Sequence, residues 1–409
     1  MKKFEIPLHY KSSIVSEIKK IRKESDPRKK DYTPTVLNFG PITFYIARHF
    51  GFCFGVENAI EIAYKTIEEN PGKRIFLLSE MIHNPNVNND LTSQGVEFIM
   101  DTSGKLLINW ADLTKEDIVI VPAFGTTLEI ESELTKIGID PYRYNTTCPF
   151  VEKVWKTASS LGDTNFTVIV HGKHSHEETR ATFSHSAKSA PSLIVRDLRE
   201  AKILADVIKG KIFEEEFYEL FDGKFSEGFD PGIDLLRIGV VNQTTMLASE
   251  TEEISNHLKQ TMISMFGADK LSKHFADTRD TLCYATNDNQ RATNGLLETG
   301  ADLAIVIGGY NSSNTSHLVE LLEKRFTTYF ISSADKIISN NSIKHYLLKD
   351  KREVETGNYL VPSENIKVVL TSGASCPDAE VDFTIRKLIS YYKNTLSIED
   401  VLAELRKQL

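Results

Sequence analysis

No run of about eighteen or more apolar residues occurs in the chain, so no membrane-spanning helix is expected. The N-terminus, MKKFEIPLHYKSSIVSEIKKIRKESDP, is basic but has no apolar h-region behind it, which excludes a secretory signal. It also carries acids that a transit peptide would lack. Positive charge is not in excess: 48 Lys and Arg stand against 57 Asp and Glu, a formal net charge of −9. Nucleic acid needs a basic face, so it is not expected as a partner. A small anion needs only local donors. Cysteine is scarce, with four among 409 residues (Cys53, Cys148, Cys283 and Cys376), widely spaced and never in CxxC. That excludes the framework of a small disulfide-rich secreted domain and favours a reducing, cytoplasmic compartment, or an organelle stroma after removal of a transit peptide.

The remainder reads as a globular protein. Hydrophobic residues make up 41% and charged residues 26%, and the length predicts two to four domains. Ile14, Ile18 and Ile21 fall on one face of a short helix. Beyond residue 41 the same order of elements recurs three times. Strand Ile42 to Ala47 leads to GFCFGV and a helix, followed by the strands in RIFLLSEM and DIVIVPAF. YNTTCPFVEKVW then leads to FTVIVHG and LRIGVVNQTTM. LCYATNDNQRAT leads to ADLAIVIGG and IKVVLTSGASCPD. Strand-to-helix alternation with short loops predicts parallel sheets covered by helices. We therefore read an N-terminal extension (1–41) and three α/β domains (42–146, 147–282 and 283–392). The second carries an insertion near 201–234, and a helical tail follows (393–409). In such sheets chemistry sits at the loops beyond the strand C-terminal ends.

The repeat sorts the cysteines. Cys53, Cys148 and Cys283 open the three domains at matching places, each before a helix whose N-terminus favours thiolate. Aligning GTTL, QTTM and GASC places Cys376 with Leu128 and Met246, as a small packed side chain. Three related domains would bring three thiolates to one axis. Zinc, with three Cys and one His, is one occupant of such a site. An iron–sulfur cluster with one iron lacking a protein ligand is another.

Other loops carry polar groups at the same sheet edges. His174-Ser175-His176-Glu177-Glu178 follows a buried-looking strand, and a carboxyl group in such a cleft can pass protons. Asn311-Ser312-Ser313-Asn314 follows two glycines and precedes a helix. Capping explains one such residue, whereas four donors together form a neutral anion cradle. Ser375 stands in the matching loop of the same domain, Thr244 in that of the second, and His83 in that of the first.

GFCFGVENAI, MIHN, TTCPFV, HEETRAT, NQTTM, LCYAT, NSSNTSHL and SGASCPD, in this order, resemble the motifs of the 4-hydroxy-3-methylbut-2-enyl diphosphate reductase family. The resemblance covers roughly Ile42 to Tyr392. It implies a trefoil of three α/β domains around one [4Fe–4S] cluster per chain, held by Cys53, Cys148 and Cys283 with one open iron. It implies reduction of the allylic diphosphate to isopentenyl and dimethylallyl diphosphates, the last step of the non-mevalonate isoprenoid route. Glu178 would be the proton donor, with Thr244 beside it at the hydroxyl end. His83 and His176 would bind the substrate, chiefly its diphosphate, and Ser312, Ser313, Asn314 and Ser375 would grip the diphosphate. A ferredoxin or flavodoxin would supply electrons. Phe124 stands where many shorter members carry His. A longer form of the family also has Phe there, together with an N-terminal extension and an insertion, and this chain has both. The competing readings are a cluster-dependent hydro-lyase on a small anion, a cluster-based sensor, and the zinc protein.

Overall fold

The computed structural model describes residues 5–278, 281–360 and 365–409. It is α/β throughout, with mostly parallel strands, the class expected from the sequence. The chain divides into two compact units, one of residues 1–57, 82–89 and 284–409, the other of 58–81 and 90–283.

The first unit is built on a five-stranded sheet in the order Thr35–Asn38, Ile42–Ile46, Ile366–Ser372, Leu303–Ile307, Thr328–Ile331. All neighbours are parallel except the edge strand Thr35–Asn38. Leu303–Ile307 is buried at every position, as a strand covered on both faces must be. Strand Ile42–Ile46, read from the sequence as opening the first domain, pairs with Ile366–Ser372 and so lies in the sheet of the third. An antiparallel hairpin, Ser342–Leu347 with Arg352–Gly357, accompanies the sheet.

The N-terminal extension is part of this unit rather than an appendage. Helix Ser13–Ser25 buries Ile14, Val15, Ile18 and Ile21 in the unit's core. Its N-cap, Ser12, accepts from the Val15 N–H at 3.0 Å and donates to Asp382 at 2.7 Å. The C-terminal segment forms helix Ile398–Gln408, which places Val401 and Leu405 in the same core. Both amphipathic helices anticipated at the ends of the chain thus cover one sheet.

The second unit holds two parallel sheets, Val96–Phe98, Ile75–Leu77, Ile118–Ile120 and Ser192–Val195, Thr167–His171, Ile238–Asn242, Phe275–Ala276. The acidic stretch near 213–231 carries a buried aromatic cluster. Phe217, Phe221 and Phe229 are buried against the core of the second sheet, with Phe217 and Phe229 stacked at 5.6 Å. Burying each phenylalanine contributes about 2 to 3 kcal/mol, which holds the insertion to the unit despite its charge. Among the described residues no helix is long and apolar enough to cross a membrane.

Candidate active site

In the first unit, strands Ile366–Ser372 and Leu303–Ile307 are parallel neighbours, so the loops after their C-terminal ends meet. Ser312 is the N-cap of helix Ser313–Leu322, with its Oγ accepting from the Thr315 N–H at 3.3 Å and the Thr315 hydroxyl at 3.0 Å. Capping is therefore real here, and it leaves the Ser312 proton available to donate. Asn314 uses its Oδ1 to accept from the Ala374 N–H at 2.9 Å and from Asn289 at 3.4 Å. Its Nδ2 is buried without a hydrogen-bond partner, a donor whose desolvation costs about 1 to 3 kcal/mol unless a ligand accepts from it. Ser375 donates to the His83 carbonyl at 3.3 Å. A Cβ on Gly309 would collide with that same carbonyl, and one on Gly373 with the Thr315 hydroxyl. Both glycines are needed for the loops to approach. The unit thus gathers His83, Ser312, Ser313, Asn314 and Ser375, all buried and none acidic.

Cys53 joins this group. It directly precedes helix Phe54–Glu69 and donates its N–H to the Ala374 carbonyl at 3.1 Å. Cys376, in contrast, is fully buried in the hydrophobic core, and burial pushes its thiol well above the ordinary range. It packs as the repeat alignment anticipated.

In the second unit the same logic applies to Thr167–His171 and Ile238–Asn242, again parallel neighbours. His176 caps helix Glu177–Ala187, its Nδ1 accepting from the Glu178 N–H at 3.2 Å. That bond assigns the ring proton of the neutral imidazole to Nε2, which is then a donor. Glu178 is 1% exposed, and its Oε1 accepts from the Thr244 N–H at 2.5 Å. The Thr244 carbonyl accepts from the Cys283 N–H at 3.2 Å. One residue therefore carries both the expected proton donor and an expected metal ligand on its backbone. Glu177 is also buried and accepts from the Ser79 hydroxyl.

Cys148 is the N-cap of helix Pro149–Asp163, and its N–H donates to the Ala123 carbonyl at 2.9 Å. The dipole was expected to favour thiolate here, but burial outweighs it. The thiol is pushed up to about 11, chiefly by burial, while bonds from the Phe150 and Val151 N–H groups pull it down and the charges of Cys283 and Glu178 push it further up. Among the described residues no three His, Cys, Asp or Glu side chains are grouped to hold a single metal ion. Phe124 meets the His176 ring edge to face at 5.7 Å and 84°.

Two residues were missed in the sequence. Gln243 is fully buried and ties the loops together, accepting from Thr179 at 3.0 Å and Lys173 at 3.2 Å and donating to Thr245 at 2.7 Å. Asn84, beside His83, is fully buried with its Nδ2 unpartnered. An amide directly after a buried strand was the available signal for Gln243. Nothing separates Asn84 from an ordinary capping residue, since its Oδ1 accepts from the Asn86 and Val87 N–H groups.

The family model described as LytB protein matches residues 44–389. A 4-hydroxy-3-methylbut-2-enyl diphosphate reductase of Synechococcus sp. (strain WH7803) is 42% identical over 87% of this chain and 86% of its own. Its counterpart from Synechococcus sp. (strain CC9311) is 41% identical over 94% and 92%. Among solved structures, the E-1-hydroxy-2-methyl-but-2-enyl-4-diphosphate reductase of Plasmodium falciparum covers 90% of this chain and 99% of its own at a TM-score of 0.61 and 20% identity. A second solved reductase gives 0.52 at 23% identity over 85% and 99%. At such identities the likeness is one of fold.

Proposed function

The chain belongs to the LytB family of 4-hydroxy-3-methylbut-2-enyl diphosphate reductases, and from that premise we propose how its side chains divide the reaction. It reduces 4-hydroxy-3-methylbut-2-enyl diphosphate to isopentenyl and dimethylallyl diphosphates, the terminal step of the non-mevalonate pathway. The balance is two electrons and two protons taken up, one hydroxyl lost as water.

Cys53, Cys148 and Cys283 are assigned as ligands of one [4Fe–4S] cluster per chain. The place of each cysteine immediately before a helix supports this reading. When bound, such a cluster with three protein thiolates supplies electrons and an iron open to an oxygen ligand. An external donor of ferredoxin or flavodoxin type fits that electron demand.

His83, Ser312, Ser313, Asn314 and Ser375 grip the diphosphate. The buried, unpartnered Asn314 Nδ2 and the N-terminus of helix Ser313–Leu322 favour an anion. Gripping the remote end fixes the hydroxyl end and so contributes through orientation. His176 donates through Nε2, held in that tautomer by the Glu178 N–H. Glu178 delivers the proton with which the hydroxyl leaves as water. Its Oε1 is held by the Thr244 N–H, so its other oxygen carries the mobile proton. Thr244 stands beside it at the hydroxyl end.

The observation carrying this reading is Thr244, which links the Glu178 carboxylate to Cys283 through its own backbone. The test is anaerobic iron and sulfide analysis joined to a reductant-driven assay on the allylic diphosphate. Turnover that needs no reductant would favour the hydro-lyase instead.

A further inference from the structure

Beneath Cys53 the N-terminal helix reaches into the loop that presents it. Lys19, on helix Ser13–Ser25, makes a bidentate pair with Asp378, Nζ lying 2.7 and 2.8 Å from the two carboxylate oxygens. The pair is partly buried, and the same Nζ lies 5.1 Å from the centre of the Phe50 ring. Gly51 follows at φ +76°, and a Cβ there would overlap the Asp378 carboxylate and lie 3.2 Å from the Lys19 Nζ. The backbone at Gly51 therefore rests directly on the ion pair. Phe52, next in sequence, has its ring held edge to face by Tyr10 at 5.8 Å. Cys53 is then fixed from the other side by its N–H to Ala374, four residues before Asp378. Asp378 opens helix Asp378–Ile389, where a carboxylate is favoured by the dipole.

We propose that Lys19 and Asp378 form a clamp that positions Cys53, making the N-terminal extension a structural support of the metal centre. This rests on the reading of Cys53 as a cluster ligand. Lys19 and Asp378 are positioning residues that act through the Gly51–Phe52 backbone. With the clamp in place the Cys53 loop has one conformation, pressed between Asp378, Tyr10 and Ala374. Without it, Gly51 regains its wide conformational range and the thiolate leaves its position more often. The signature is kinetic lability at one ligand, not loss of the fold.

The experiment uses the full-length protein, purified anaerobically with its iron. Release of ferrous iron to bipyridyl is followed by absorbance, alongside the electron paramagnetic resonance spectrum of the reduced protein. Lys19→Met and Asp378→Asn are expected to release iron about three- to tenfold faster and to broaden the resonance. Lys19→Arg, which keeps a bidentate donor, restores both, and Lys20→Met, an exposed neighbour on the same helix, changes neither. Gly51→Ala leaves Lys19 and its helix intact but displaces Asp378, and is expected to release iron at least as fast as Lys19→Met. Wild-type release and spectra in Gly51→Ala would overturn the clamp even if Lys19→Met unfolds the helix. Wild-type behaviour of Lys19→Met and Asp378→Asn would overturn it directly. Cys53→Ser keeping its full iron content would instead sink the ligand assignment on which the clamp rests.

Discussion

The loops that end strands Leu303–Ile307 and Ile366–Ser372 are built like those that end Thr167–His171 and Ile238–Asn242, yet carry opposite chemistry. In each case two parallel neighbours deliver their loops to one sheet edge, and one of the two helices that follow is capped by a side chain of its own loop, Ser312 or His176. The first pair presents hydroxyls and amides with no titratable acid, and one buried amide donor is left unpartnered. The second presents an imidazole and a buried carboxyl group, and its Thr244 carbonyl accepts from the Cys283 N–H. One kind of scaffold thus presents neutral donors in one place and a buried carboxyl group in another. The cysteines repeat the lesson on a smaller scale. Cys376 has the sequence surroundings of a site residue but sits in the core, whereas Cys148 stands half-buried at a helix start.

If labour is divided in this way, changes in the two loop pairs should separate kinetically. The largest effect is expected from Glu178→Gln, which keeps an oxygen for the Thr244 N–H but has no acidic proton to transfer. Its kcat should fall roughly 100- to 10,000-fold, with iron content and KM little changed. A near-normal kcat would remove the proton-donor role. Asn314→Asp preserves the acceptor used by Ala374 and removes only the Nδ2 donor, placing a negative charge near the anion site. KM should rise about 10- to 100-fold, with kcat changing less. A variant that lost kcat at unchanged KM would break the comparison. Ser375→Ala should raise KM about three- to tenfold, since one neutral hydrogen bond is removed, and the same steady-state assay reads it.

The smallest effect sharpens the contrast between the thiols. In the iron-free protein the Cys148 thiol is held near 11, above its ordinary value of about 9. Its neutral form is the one folding favours, so its contribution to stability is complete below about pH 9 and is lost as the pH rises towards 11. Alkylation of Cys148 by iodoacetamide, followed by peptide mass analysis, should therefore stay slow at pH 9 and quicken towards 11. Cys376 should stay unlabelled throughout. Rapid labelling of Cys148 at pH 8 would show that burial does not control it.

Much of this arrangement was legible in the sequence because each element declares itself locally. Strand Leu303–Ile307 is a continuous apolar run between turn residues, Cys148 and Cys283 stand directly before helices, and Ile14, Ile18 and Ile21 share one helical face. What escaped depends on partners far along the chain. Ile42–Ile46 reads as the first strand of its own domain, but its register is set by Ile366–Ser372, and no local pattern encodes a parallel pairing over such a separation. The direction of the Cys148 shift was also hidden, because burial is a tertiary quantity that a helix-terminus argument does not contain. Phe124 was legible as a substitution but not as the neighbour of the His176 ring, since the two belong to different strands and loops.

Iron and sulfide per chain, measured anaerobically across four single Cys→Ser variants, test the central claim most directly. The account predicts about four irons per chain for the parent and for Cys376→Ser, with marked loss in Cys53→Ser, Cys148→Ser and Cys283→Ser. Equal loss in all four, or undiminished iron in any of the last three, would contradict it.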